Sequence, residues 1–126
     1  MNIALAIFAG GGIGAVMRHF FVVGETRLFG PSFAYATFAV NVIGCLIIGA
    51  VIEYFALKGQ ATAEMRAFLT TGVLGGFTTF SAFSVEVLKL AETGHIVAAA
   101  LYALASVVFC VAGVFGGVYI MRGVIG

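Results

Sequence analysis

Four apolar stretches, about Ile3 to Val23, Phe33 to Leu57, Ala67 to Val85 and Ile96 to Met121, take up nearly all of this chain. Each is near or above the roughly 20 residues that a helix needs to cross hydrocarbon. Of 126 residues 63% are hydrophobic and 9% charged, and the mean hydropathy is +1.21. A water-soluble fold of this length could not bury so much apolar surface. The expected fold class is therefore an all-α membrane protein, a single transmembrane domain over 1–126, with spans at about 3–23, 33–57, 65–92 and 96–122. The first stretch is read as a permanent span rather than a cleaved leader, because it lacks a basic lead-in and runs on past Arg18 to Val23.

The third span carries the most unusual local sequence. From Ala67 to Val85 it has no charge, yet Gly75, Gly76 and the β-branched pair Thr78 and Thr79 all weaken helix there. A helix broken at its centre, near 75–79, is expected. Backbone released from helix cannot face lipid, so the break must be buried in protein or line a hydrated cavity. Carbonyls and hydroxyls are thereby placed where a small ion could meet them.

The connections are short and polar: Glu25, Arg27, Gly30 and Pro31; then Lys58, Gly59, Gln60, Thr62 and Glu64; then Glu92, Thr93, Gly94 and His95. Such lengths predict sequential helices as antiparallel neighbours, with both termini on one side. Lys58, Arg66 and Arg122 then fall on the side of the termini, and Arg18, Arg27 and Lys89 nearer the other. Orientation follows an excess of Lys and Arg on the cytoplasmic side, and this tally has none. Insertion both ways up is expected, and with it an antiparallel homodimer about a two-fold axis in the membrane plane. A fixed orientation follows instead if one arginine near a helix end counts on the other side. Gly10 and Gly14, Gly72 and Gly76, and Gly113 and Gly117 have the spacing that lets helices approach closely, either within a subunit or between two.

Polar residues inside the spans mark interiors and pathways. Thr37, Asn41 and Cys45 share one face of the second span, and Tyr102, Ser106 and Cys110 one face of the fourth. Asn41 has no charged neighbour in its span, and its amide can donate to an anion or accept from another helix. Cys45 and Cys110 are expected to be inert, packed thiols rather than a disulfide. Phe80 and Phe83 share a face beside the break and beside Ser81, where ring edges can meet an anion.

These residues carry a resemblance. Gly-Gly-Phe-Thr-Thr-Phe-Ser-Ala-Phe at 75–83, Gly-Gly-Ile-Gly-Ala-Val-Met-Arg at 11–18 and Phe-Ala-Val-Asn-Val-Ile-Gly at 38–44 resemble, in order, the Fluc family of fluoride channels, also called CrcB. The resemblance covers the whole chain. It implies a dual-topology homodimer in the bacterial inner membrane, with two separate pores that pass fluoride passively and selectively and so confer fluoride resistance. It implies Asn41, Phe80, Phe83 and Ser81 at the pore, with Thr37, Tyr102 and Ser106 in a hydroxyl track. It further implies Arg18 at a pore mouth and Glu86 as a participant near the far end of the third helix. A structural sodium ion at the dimer centre would be bound by the backbone carbonyls of Gly75 and Thr78 from each copy. One position departs: relatives commonly read Phe-Ser-Thr-Phe where this chain has Ala82 between Ser81 and Phe83.

The partners expected are thus fluoride, membrane lipid and a second copy, with no nucleic acid. A small multidrug exporter of four spans is the alternative, but it needs a carboxylate deep in the first span, and residues 3–17 contain none. A proton-coupled fluoride exporter is a nearer one. Glu53, Glu64, Glu86 and Glu92 read as lying near helix ends, which weighs against coupling. Enzyme chemistry is not expected: Asp is absent, and His19 and His95 lie at span ends without metal-ligand spacing.

Overall fold

A computed structural model describes residues 2–30 and 35–126. Four helices in it are long and apolar enough to cross a membrane: Ile3–Phe29, Ala36–Lys58, Ala63–Glu92 and Ile96–Ile125. No strand occurs among the described residues. The chain is a multi-pass, all-helical membrane protein. Pro31 and the expected start of the second span at Phe33 lie outside the described residues.

The first span begins on Asn2, whose side chain accepts the Ala4 N–H at 2.6 Å. It continues past Val23 to Phe29, so Glu25 and Arg27 ride on its last turns instead of dividing it from the next helix. Nothing between them breaks helix. The stop is Gly30, which takes a left-handed φ of 91° and returns its N–H to Thr26. Gly59 ends the second span likewise, with φ 66° and its N–H on the Phe55 carbonyl. Arg18 lies inside the span, as its position before Val23 implied, and its Nε donates to the Gly76 carbonyl at 3.2 Å. Arg66 and Arg122 do gather at the Lys58 end of the second span. Arg66 lies over the Phe55 ring at 5.6 Å, and Arg122 pairs with Glu53 at 2.9 Å.

The third span is not one helix. Thr62 caps its start by accepting the Met65 N–H at 3.1 Å. An α-helical turn at Ala63–Ala67 widens into a π-helix over Phe68–Leu74 and returns to α geometry at Gly75–Phe77. Thr78 and Thr79 are then extended, and helix resumes over Phe80–Glu92. The break thus falls on the two threonines. Gly75, expected to help open the helix, is helical at φ −63° and ψ −37°.

The glycines serve close packing instead. A Cβ on Gly72 would stand 2.9 Å from the Cα of Gly10, and one on Gly76 3.1 Å from the Ala15 nitrogen. On the other side of the molecule a Cβ on Gly117 would stand 2.7 Å from the Ala50 nitrogen, and one on Gly49 3.0 Å from the Cα of Val114. These approaches decide the architecture. The first span packs most closely on the leading half of the third, and the second on the fourth, so the main partners are alternate rather than sequential helices. All three glycine pairs are contacts within the subunit. The buried side chains are small along much of the interior, with Ala6, Ala36, Val40 and Ala99 among them, and large only around the third span, at Leu74, Phe77 and Phe83. The exterior is apolar, as a surface in hydrocarbon must be; Phe8 is 80% exposed.

This packing makes a specific demand. Gly14→Val would place a branched side chain on the Val73 carbonyl and within 2.8 Å of the Phe77 nitrogen. It is expected to cost roughly 1–3 kcal/mol of stability, seen as a lowered thermal midpoint in detergent. Gly123→Val, at a position where a Cβ meets nothing within 4 Å, is expected to leave the midpoint nearly unchanged.

Candidate functional site

Two extended threonines in the middle of a membrane helix leave polar backbone that must be satisfied. Asn41 of the second span does much of this. Its Oδ1 accepts the Thr79 N–H at 2.7 Å and its Nδ2 donates to the Thr79 carbonyl at 3.0 Å. One side-chain amide therefore reads one residue's backbone as a neighbouring strand would. Thr79 in turn caps the resumed helix, its Oγ1 accepting the Ala82 N–H at 3.1 Å.

These diversions free two carbonyls. In an unbroken helix the N–H of Thr79 would point at Gly75, and that of Ala82 at Thr78. Both N–H groups are engaged elsewhere, so the Gly75 and Thr78 oxygens lose their usual donors. Opened backbone oxygens are hard ligands of the kind alkali and alkaline-earth cations take. The Gly76 carbonyl, next in line, receives Arg18.

Beside the break opens a groove of about 290 Å³. Asn41 and Cys45 line it from the second span, Thr79, Phe80 and Phe83 from the third, and Ser106 from the fourth. No charged side chain lines it among the described residues. Phe83 is buried and packs between Phe80, at 5.3 Å between ring centroids, and Tyr102, at 5.2 Å. Phe80 is 74% exposed, at the outer lip. The two rings behave differently although their spacing put them on one face. Ser106 is 6% exposed, and its hydroxyl has no hydrogen-bond partner among the described residues. A buried hydroxyl without a partner costs free energy unless something in the groove meets it.

The polar track continues past Phe83. Thr37 Oγ1 donates to Glu86 Oε2 at 2.8 Å, and the Tyr102 hydroxyl donates to Glu86 Oε1 at 2.9 Å. Glu86 thus joins the second and fourth spans to the third. Glu86 lies in the far half of the third span, as expected, midway along the resumed helix Phe80–Glu92, and is part-buried. Ser81 faces away from the groove wall, exposed, with its hydroxyl 3.3 Å from that of Thr79. Arg18 is likewise absent from the groove wall. Phe77 packs inward, edge to face with Phe21 at 6.2 Å.

Asn41, Phe83, Ser106, Thr37, Tyr102 and Glu86 are thus brought into one continuous region, while Arg18 and Ser81 stand apart. Sequence reasoning missed Thr79, which both receives Asn41 and caps the restarted helix. A Thr immediately before an apolar helical run is a start signal that could have found it. The groove wall itself, at Asn41, Ser106 and Phe83, offers neutral donors and an aromatic edge that can take the place of water around an ion, while the one carboxylate of the region, Glu86, is not among the residues that line the groove.

Residues 5–118 match the family model described as CrcB-like protein, Camphor Resistance (CrcB). The chain belongs to the CrcB-like family. Among its CrcB-like relatives is a protein of Rhodopseudomonas palustris, 47% identical over 120 residues, which cover 95% of this chain and 97% of the relative. A relative from Rhizobium etli is 48% identical over 122 residues, covering 97% and 98%. One from Agrobacterium fabrum is 48% identical over 122 residues, covering 97% of each chain. Each of the three is named fluoride-specific ion channel FluC.

Proposed function

We propose that this chain is a fluoride-selective channel that lets fluoride leave the cytoplasm passively, through two antiparallel pores in a homodimer inserted both ways up in the bacterial inner membrane. What carries the reading is a match along nearly the whole chain to relatives named as fluoride-specific channels, in a protein whose break opens onto an uncharged polar groove. Fluoride is small and holds its water tightly, so a path for it must offer donors close together while binding weakly enough to release. Asn41 and Ser106 are such donors, Thr37 and Tyr102 extend the track with their own protons given to Glu86, and Phe80 and Phe83 supply ring edges. Arg18 raises the local anion concentration by its charge. A sodium ion at the dimer centre, held by the Gly75 and Thr78 carbonyls of both copies, would fix the two breaks against each other. The two carbonyls fit that role because their helical donors are engaged elsewhere.

Proton-coupled fluoride export is kept as a second reading for one reason: Glu86 is part-buried in the track rather than at a helix end. In the channel reading Glu86 holds the Thr37 and Tyr102 hydroxyls in place and carries no proton. Growth tests the proposal in cells. Bacteria stripped of their own fluoride export should regain growth in fluoride medium when they make this chain, and should not when they make it with Asn41→Leu. No rescue by the parent chain, correctly inserted, would count against the proposal.

A further inference from the structure

One turn beyond Asn41 on the second span stands Cys45, and one turn beyond Ser106 on the fourth stands Cys110. Both line the same groove, and both are half-buried free thiols. Their side chains are neighbours across the junction of the two spans. The approach is close because the turn after Cys110 carries Gly113, where a Cβ would stand 3.5 Å from the Cβ of Cys45. The pair was expected to be inert packing, yet its thiols share the wall of an open cavity.

The donor set limits what it can hold. No group of three or more His, Cys, Asp or Glu side chains could hold a metal among the described residues. Tetrahedral zinc, which wants four ligands, is therefore disfavoured. Two thiols alone suit a soft cation that is content with two-coordinate, linear sulfur ligation. The apolar surroundings then select among soft cations, because charge left on the complex would be costly there. A divalent ion with two thiolates is neutral.

We propose that Cys45 and Cys110 form a two-thiol site inside the groove for a soft divalent cation of the mercuric class. Each thiol gives its proton to water as its sulfur bonds the ion, so two protons leave for each ion bound and no electron is transferred. The bound ion would bridge the second and fourth spans beside Asn41 and Ser106 and obstruct the groove. That consequence rests on the conduction reading above; the binding does not.

The test uses the whole protein in detergent, titrated with mercuric chloride and then washed with an excess of a simple monothiol. One ion per chain is expected to survive the wash, with both cysteines then closed to maleimide labelling. Cys45→Ser and Cys110→Ser, each keeping one thiol, are expected to lose the ion at about 100-fold lower competitor concentration. Two ions per chain, or single variants that hold mercury as firmly as the parent, would overturn the site. In proteoliposomes the same salt should abolish fluoride efflux by the parent and leave the double serine variant at its own mercury-free rate. Equal block of both would overturn the proposed obstruction. An absence of any fluoride efflux before mercury is added would count against the conduction reading alone, since the one-ion stoichiometry stands apart from flux.

Discussion

Asn41→Leu is expected to lower fluoride efflux by about 100-fold or more in liposomes, among the largest losses from any single substitution in the groove. Leucine nearly matches asparagine in size but leaves the Thr79 N–H and carbonyl without the two hydrogen bonds they make at 2.7 and 3.0 Å. Each unmet buried group costs roughly 1–3 kcal/mol. The chain can reduce that cost only by rearranging the break, which removes the extended backbone that shapes the groove wall. A 100-fold loss corresponds to about 2.7 kcal/mol, within the range of the two bonds together. Asn41→Asp changes one half of the interaction. It keeps an acceptor for the Thr79 N–H but sets a carboxylate against the Thr79 carbonyl and in the path of an anion, so a loss at least as large as that of leucine is expected. Efflux unchanged in Asn41→Leu, measured on protein with the parent's elution profile, would mean that the break does not shape the path.

Glu86→Ala is expected to have the largest effect on stability. The carboxylate receives Thr37 at 2.8 Å and Tyr102 at 2.9 Å, and so ties three spans at one point. Thr37 is buried, at 6% exposure, and loses its acceptor. With two hydrogen bonds to a charged acceptor removed and a hydroxyl left inside, the loss should be roughly 2–4 kcal/mol. Thermal unfolding in detergent reads it as a midpoint lower by several degrees. Glu86→Gln keeps one carbonyl oxygen as acceptor and should lose less than half as much. An alanine variant as stable as the parent would show that the carboxylate does not tie the spans together. The glutamine variant also separates the two transport readings. Efflux that persists in Glu86→Gln without dependence on a pH gradient is what a channel requires, whereas a proton-coupled exporter would lose its response to that gradient.

The four spans were legible because apolar runs of membrane length leave a chain this short no other fold. The third-span break was legible to within a few residues, since Gly75, Gly76, Thr78 and Thr79 all disfavour helix. Which of them opens was not. Propensity ranks glycine as the weaker helix former, but Gly76 sits against the Gly11 carbonyl at a separation only a residue without Cβ tolerates, and that packing holds it in helix. Thr79 opens because Asn41, far away in sequence, supplies its backbone with partners. Asn41 itself stood out as an amide with no charge within ten residues on either side, yet neither of its two readings, pore group or helix-to-helix contact, was complete. It lines the groove and bonds the break at once. Pairing of alternate spans was hidden as well, because loop length speaks to sequence neighbours, and the glycine faces that meet across the bundle are specified only in three dimensions.

Fluoride efflux from liposomes bearing the purified protein, followed by an ion-selective electrode, tests the central claim most directly. The liposomes are loaded with fluoride or with chloride, and the proton gradient is clamped. Rapid fluoride release with no chloride release and no dependence on a proton gradient is the predicted result. Chloride release at a rate comparable to fluoride, or no fluoride release from folded protein, would contradict it.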